Sequence, residues 1–298
     1  MKGIFMMLLM FISVAIPMGL TVAVVFWQKR IRKREGRRSP LIDKMAHLPG
    51  QQLRQRMEVL GYGIDERVVE LMMIGPFALL VLLVPRVQWA SLRPTLVDYL
   101  VLAAAVAMCF WNIKRLLPLW RERLQCREGM RAEIASAQWL DRLQVQGCLV
   151  LHDIPAKDFN IDHVVISPTA VFMVETKSRR KKGEGKASAN VTYDGKTLQF
   201  PGWVETKPLD QARAQARWLA DYLRGETGDS TPVIPVVCLP GWFVTLGKEG
   251  SRSDVRVINP KMTSLFVDSG PRPRLENSHR NRIVTALYKT YPELELAD

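Results

Sequence analysis

Residues 161–177 read IDHVVISPTAVFMVETK, and the rest of the chain is organised around them. Two short apolar runs flank Ser167-Pro168-Thr169-Ala170, which predicts two antiparallel strands joined by a tight turn. With Pro168 and Thr169 as the loop residues, Ser167 faces Ala170. Counting outward then sets Asp162 opposite Glu175. Directly opposed residues on antiparallel strands share a face, with side chains about 5 Å apart. Lys177 lies two residues beyond Glu175 and shares that face. A slip of one residue would break the arrangement, and Pro-Thr is not the preferred two-residue loop.

Two carboxylates able to share a divalent cation, with an ammonium beside them, suit metal-assisted hydrolysis of phosphodiesters. Hard oxygen ligands hold Mg2+, which keeps several waters. Such an ion stabilises charge developing on phosphate and activates a water. A solvated hairpin face with an ordinary salt bridge carries the same three residues, so the flanking chain has to decide.

The chain has 298 residues, 48% of them hydrophobic and 24% charged, and the apolar ones are unevenly spread. From Gly3 to Trp27 no side chain is charged, a length that crosses a bilayer. A secretory signal fits less well, because the n-region has only Lys2 and the run ends in Phe26-Trp27 without a small-residue cleavage site. Next comes KRIRKREGRR, Lys29 to Arg38. Positive residues beside a span stay in the cytoplasm; contact with nucleic acid or anionic lipid is the alternative reading. Helical periodicity runs from Gln51 to Leu60 and is interrupted by Gly61 and Gly63. His47 stands alone and reads as structural or solvated. Further apolar runs fall at Leu71–Val84 and Leu96–Ile113, the first long enough only if Val68 and Val69 join it. Lys114 and Arg115 mark a cytoplasmic end. The expected organisation is a membrane region over 1–120, with helices at about 4–27, 68–84 and 96–113 and a basic linker at 29–67, then a soluble domain over 121–298. The N-terminus is expected outside and the soluble domain in the cytoplasm.

The net charge of +13 is carried mostly by the membrane region. Residues 1–120 hold 16 basic and 7 acidic side chains, against 26 and 22 in the remainder. The high charge is therefore weak support for nucleic acid on the soluble part. Within that part, however, SRRKKGEGK (Ser178–Lys186) follows Lys177 directly. Arg179 and Arg180 could place phosphate-neutralising charge beside the candidate site; a flexible solvated loop is the other reading. Cys109, Cys126, Cys148 and Cys238 lack metal-ligand spacing and fit reduced thiols.

The soluble part reads as helix, three strands, small hairpin, helix, two strands, helix, enough for one α/β core. Arg123–Leu143 carries a helical apolar stripe, with Glu133 just before it, where an exposed acid is the usual case. Pro208 opens the second helix and Gly225 follows its end.

This part resembles the nuclease-related domain (NERD) family, a branch of the PD-(D/E)XK nuclease-like superfamily. The likeness rests on Glu133 on the leading helix, Ile161-Asp162-His163 opening a strand, Val171-Phe172 and Glu175-Thr176-Lys177 on the next, and Gln211 on the helix after Pro208. It covers roughly residues 125–265. It implies a restriction-endonuclease-like mixed sheet flanked by helices, here preceded by about three transmembrane helices. It also implies Mg2+ or Mn2+ held by Asp162 and Glu175, with Glu133 assisting directly or through water. Lys177 would position the attacking water and balance phosphate charge, and Gln211 would bond within the site or contact substrate. Ser178-Arg179-Arg180 stands where family members carry a polar-aromatic pair and a glycine, which leaves the substrate contacts open. The expected partners are nucleic acid, DNA ahead of RNA, and a lipid bilayer, that of a bacterial inner membrane. A catalytically silent module that binds nucleic acid or protein at the membrane is the alternative.

Overall fold

A computed structural model describes residues 46–83, 95–181, 189–267 and 273–292. The apolar run at 4–27, the basic cluster Lys29–Arg38 and the part of the basic loop beyond Lys181 lie outside the described residues. The described chain forms two compact units, one from residues 58–83 and 95–124, the other from 46–57 and 125–292.

The first unit is built from two long helices, α1 (Gln51–Leu83) and α2 (Leu96–Leu140), of which it takes the apolar parts. The sequence predicts an interruption at Gly61 and Gly63, yet α1 runs through both. Glycine inside a helix costs about 1 kcal/mol relative to alanine. A Cβ at Gly63 would meet Leu119 at 3.5 Å and one at Gly61 the Arg123 guanidinium at 3.8 Å, ordinary contact distances, so the packing between the helices does not require glycine at either position. Leu60, Ile64, Ile74 and Leu116 are buried. Likewise α2 does not end near Ile113. The charged residues after it are good helix formers, so they mark a change along one helix rather than its end.

Among the described residues one helix, α2 with the turns that follow it, is long and apolar enough to cross a membrane, and its most apolar stretch is almost wholly exposed. The predicted span at 68–84 does not reach that standard. The last 18 described residues of α1, 66–83, include Glu66, Arg67 and Glu70, too many charges for a span of that length. Arg67 pairs with Glu70 at 2.6 Å.

The second unit is a mixed α/β fold. A 3-10 turn (Asp141–Gln146) leads into β1 (Leu149–Pro155), β2 (Asn160–Ile166) and β3 (Val171–Thr176). Then come β4 (Asn190–Tyr193), β5 (Leu198–Phe200), β6 (Trp203–Glu205) and helix α3 (Lys207–Thr227). The chain closes with β7 (Val233–Cys238), β8 (Phe243–Leu246), β9 (Arg256–Ile258), a short α4 (Ser264–Val267) and α5 (Asn277–Tyr288). One sheet has the order β1-β2-β3-β7-β9, antiparallel up to β3 and parallel beyond it. A smaller sheet, β6-β5-β4-β8, is inserted between β3 and α3, with β8 returning to it after β7. β6 and β8 are absent from the sequence-based reading. They are short, without a fully buried residue, and exist by pairing with neighbours rather than by burying a face.

The β2–β3 ladder pairs Ile166 with Val171, Val165 with Phe172, Val164 with Met173 and His163 with Val174. That is the register predicted from the two-residue turn, and the Ser167 amide bonds the Ala170 carbonyl at 2.9 Å. All six residues of β3 are buried. Alternate residues feed two cores: Val171 and Met173 pack with α3 and α5, while Phe172 and Val174 pack with Leu140, Leu143 and Phe266. Met173→Ala is expected to destabilise this unit by about 2–5 kcal/mol through the cavity it leaves, measured as a shift in the urea midpoint at unchanged slope.

Candidate active site

The next step of the β2–β3 register sets Asp162 opposite Glu175 at the end of the hairpin away from the turn. Lys177 follows β3 and is held there by its amide, which bonds the Cys238 carbonyl at 2.9 Å. Its ammonium lies 2.5 Å from Glu175 Oε1. Gln211, in the second turn of α3, donates its amide to the same oxygen at 2.8 Å. Asp162 Oδ2 accepts the Thr176 amide at 2.6 Å. Glu133, on α2, is 8% exposed and faces the same acids. The hairpin residues Asp162, Glu175 and Lys177 thus meet Glu133 and Gln211, from two helices, at one end of the inner strands β2 and β3.

The charges do not balance. Burial pushes the Asp162 carboxyl well above its ordinary range, and the neighbouring Glu175 and Glu133 add to this against the Thr176 amide and Lys177. Burial likewise pushes Glu133 up to about 8, with Asp153 and Glu175 contributing and Lys177 and the Gly50 amide opposing. Glu175 Oε2 is buried with no hydrogen-bond partner. A buried acceptor left unpaired is costly. An orphaned carboxylate oxygen amid an excess of acids fits a hard divalent cation. Among the described residues no three His, Cys, Asp or Glu side chains are spaced to hold an ion by themselves.

Asp153 and Glu205 were not singled out in the sequence. The β1–β2 ladder pairs His152 with His163 and Ile154 with Ile161, so its register sets Asp153 opposite Asp162. Asp153 has φ +46°, outside the pleated conformation of a strand, and its carboxylate acts on Glu133, whose carboxyl it raises. An acid inside the apolar run Leu149–Ile154 was the available signal; without a countable turn between β1 and β2, its register could not be read. Glu205, at the end of β6, accepts two bonds from Arg179 Nε and one from Nη2, between 2.8 and 3.0 Å. Trp203 Nε1 donates to it at 2.9 Å. Burial works to raise the Glu205 carboxyl, but these bonds, with Lys177 nearby, hold it below the ordinary range.

Both arginines offered by the sequence as substrate contacts are engaged within the chain. Arg179 is committed to Glu205, and its carbonyl accepts Trp242 Nε1 at 3.2 Å. Arg180 pairs with Glu128 on α2, its Nε at 2.9 and 3.0 Å from the carboxylate. Its side chain remains 70% exposed.

The family model for the nuclease-related domain matches residues 128–240, the segment that carries Glu133, Asp162, Glu175, Lys177 and Gln211. No curated protein and no solved structure matches the chain.

Proposed function

We propose that this protein is a membrane-anchored, divalent-metal-dependent nuclease that cuts phosphodiester bonds of DNA or RNA on the cytoplasmic side. The observation that carries the reading is the buried, unpartnered Glu175 Oε2 beside Asp162 and Lys177, within the segment that matches the nuclease-related domain. Asp162 and Glu175 would hold Mg2+ or Mn2+, with Glu133 reaching it through water. When bound, the ion supplies charge stabilisation at phosphate and lowers the pKa of a water. The chain supplies the rest. Gln211 and Lys177 fix Glu175 by bonding the one oxygen, which leaves the other directed to the ion. Lys177 orients the attacking water and balances the charge gathering on phosphorus. Arg180, exposed and held by a surface ion pair that is weak in water, can exchange Glu128 for a substrate phosphate.

Anchoring rests on the exposed apolar helix in α2 and on the uncharged run at 3–27. The cytoplasmic placement rests on the basic residues that follow both. The test is cleavage of plasmid and single-stranded substrates by the full-length chain purified from a membrane fraction. Cutting that requires Mg2+ or Mn2+ and stops with EDTA is expected. A folded protein that binds Mn2+ and nucleic acid without cutting would replace this reading by the silent binding module.

A further inference from the structure

The site has a wall that comes from far outside the hairpin. Residues 46–57 precede the apolar part of α1, yet they belong to the α/β unit. Ala46 packs against its core. His47 Nδ1 lies 2.9 Å from the Asp153 carbonyl, and the His47 ring lies 4.9 Å from that of Tyr291. Tyr291 is itself buried and donates its hydroxyl to the His152 carbonyl at 2.7 Å.

Asp153 is the anchor of this strap. Its backbone has φ +46°, and it is the one non-glycine residue with positive φ among those described. A conformation of this kind is strained for an L-residue and persists only when the surroundings impose it. They do so here: Oδ1 accepts Asn160 Nδ2 at 2.7 Å, and Oδ2 accepts the Gln52 amide at 2.8 Å. Gln52 is the second residue of α1. Asp153 therefore caps the helix from 101 residues away in sequence, satisfying an amide that a local side chain would ordinarily take. Gly50, just before the helix, has φ +71°, and a Cβ there would come within 2.8 Å of Met130 Cγ. Met130 lies one turn before Glu133 on α2. Held in this way, the Gly50 amide faces the Glu133 carboxylate.

We propose that Asp153 is a positioning residue for Glu133, acting through the strap 46–52 that it docks against α2. The proposal rests on the reading of Glu133 as part of a metal-dependent nuclease site. The strap is as much a part of that site as the hairpin, and a fragment beginning at residue 121 lacks it.

The experiment compares the full-length wild type with Asp153→Ala, Asp153→Asn and Gly50→Ala. It reads Mn2+ affinity by calorimetry and hydrogen exchange of the 46–57 peptide. Loss of an outer-shell partner typically weakens metal binding by about 10- to 100-fold. Asp153→Ala and Gly50→Ala are expected to raise the Mn2+ Kd by roughly tenfold and to speed exchange over 46–52. Asp153→Asn tolerates positive φ, keeps an acceptor for the Gln52 backbone amide and can donate its NH2 to Asn160 if that amide turns to present its oxygen, so it is expected to stay closer to wild type than Asp153→Ala. A merely structural Asp153 would lower thermal stability with the Kd unchanged, and that result overturns the proposal. If Asp153→Ala does not fold, Gly50→Ala decides on the same two readouts. Wild type that binds Mn2+ but cuts nothing overturns the nuclease reading alone, since the Kd still ranks the variants. Wild type that binds no Mn2+ overturns both.

Discussion

Lys177→Ala in the full-length chain is expected to lower metal-dependent cleavage by about 10²- to 10⁴-fold, the range for losing a group that handles a proton in the transition state. Lys177 Nζ lies 2.5 Å from Glu175 Oε1, and its side chain is 22% exposed. The same substitution leaves Glu175, which is 3% exposed, without its counter-charge. Removing one partner of a buried pair costs about 3–5 kcal/mol. The metal-free variant should therefore unfold at clearly lower urea than wild type, and Mn2+ should restore much of the difference by binding the folded state. Lys177→Arg separates the two roles. It keeps the charge, and so part of the stability, but its planar fork does not reproduce the point contact of an ammonium. Cleavage that survives Lys177→Ala would exclude this lysine from the chemistry.

The metal-free protein is expected to lose stability as pH rises from about 4.5 to about 8. Glu133 titrates near 4.5 when unfolded and at about 8 when folded. Between those values the folded state holds a proton that the unfolded state has released, so stability falls with pH across this window. For Glu133 alone the loss is on the order of 5 kcal/mol, and Asp162, also raised by burial and its acidic neighbours, adds to it. Asp194 and Asp254 behave oppositely. Each is held at about 2, by its hydrogen bonds to Thr197 and Arg213 respectively, so their contribution disappears as pH falls from 3.8 towards 2. Thermal melts in EDTA between pH 5 and 9 should show the decline, and Glu133→Gln should flatten it. Metal uptake near pH 7 should release close to one proton, seen as a buffer-dependent heat. A melting temperature that rises across this window would contradict the buried, protonated Glu133.

The hairpin 161–177 was readable because a two-residue turn leaves little freedom in the count. Once Pro168 and Thr169 form the loop, Asp162, Glu175 and Lys177 have no choice of face. The three-strand start, the helix after Pro208 and the apolar character of residues 96–113 were equally local, set by period and composition. Continuity was not local. Gly61 and Gly63 read as breaks in a single chain, whereas α1 continues through both. The charged stretch after Ile113 reads as the end of a span, whereas hydrogen bonding carries α2 through it to Leu140. The predicted span at 68–84 reaches the last described residue of α1, Leu83, and is not confirmed as a crossing helix among the described residues.

By itself, then, the sequence determined a hairpin, its register and the identity of an acid–acid–lysine cluster. These depend on neighbours along the chain and on the two-residue period of a strand. Tertiary structure decided which further groups join the cluster. Glu133 and Gln211, which the family resemblance names but no local pattern places, arrive on separate helices, and Asp153 arrives from β1. Arg179 is turned away by Glu205, and residues 46–52 close over Glu133 from beyond the apolar unit. Each of these is a long-range contact, settled by which groups can be buried together with their hydrogen bonds and charges satisfied. No local pattern records that.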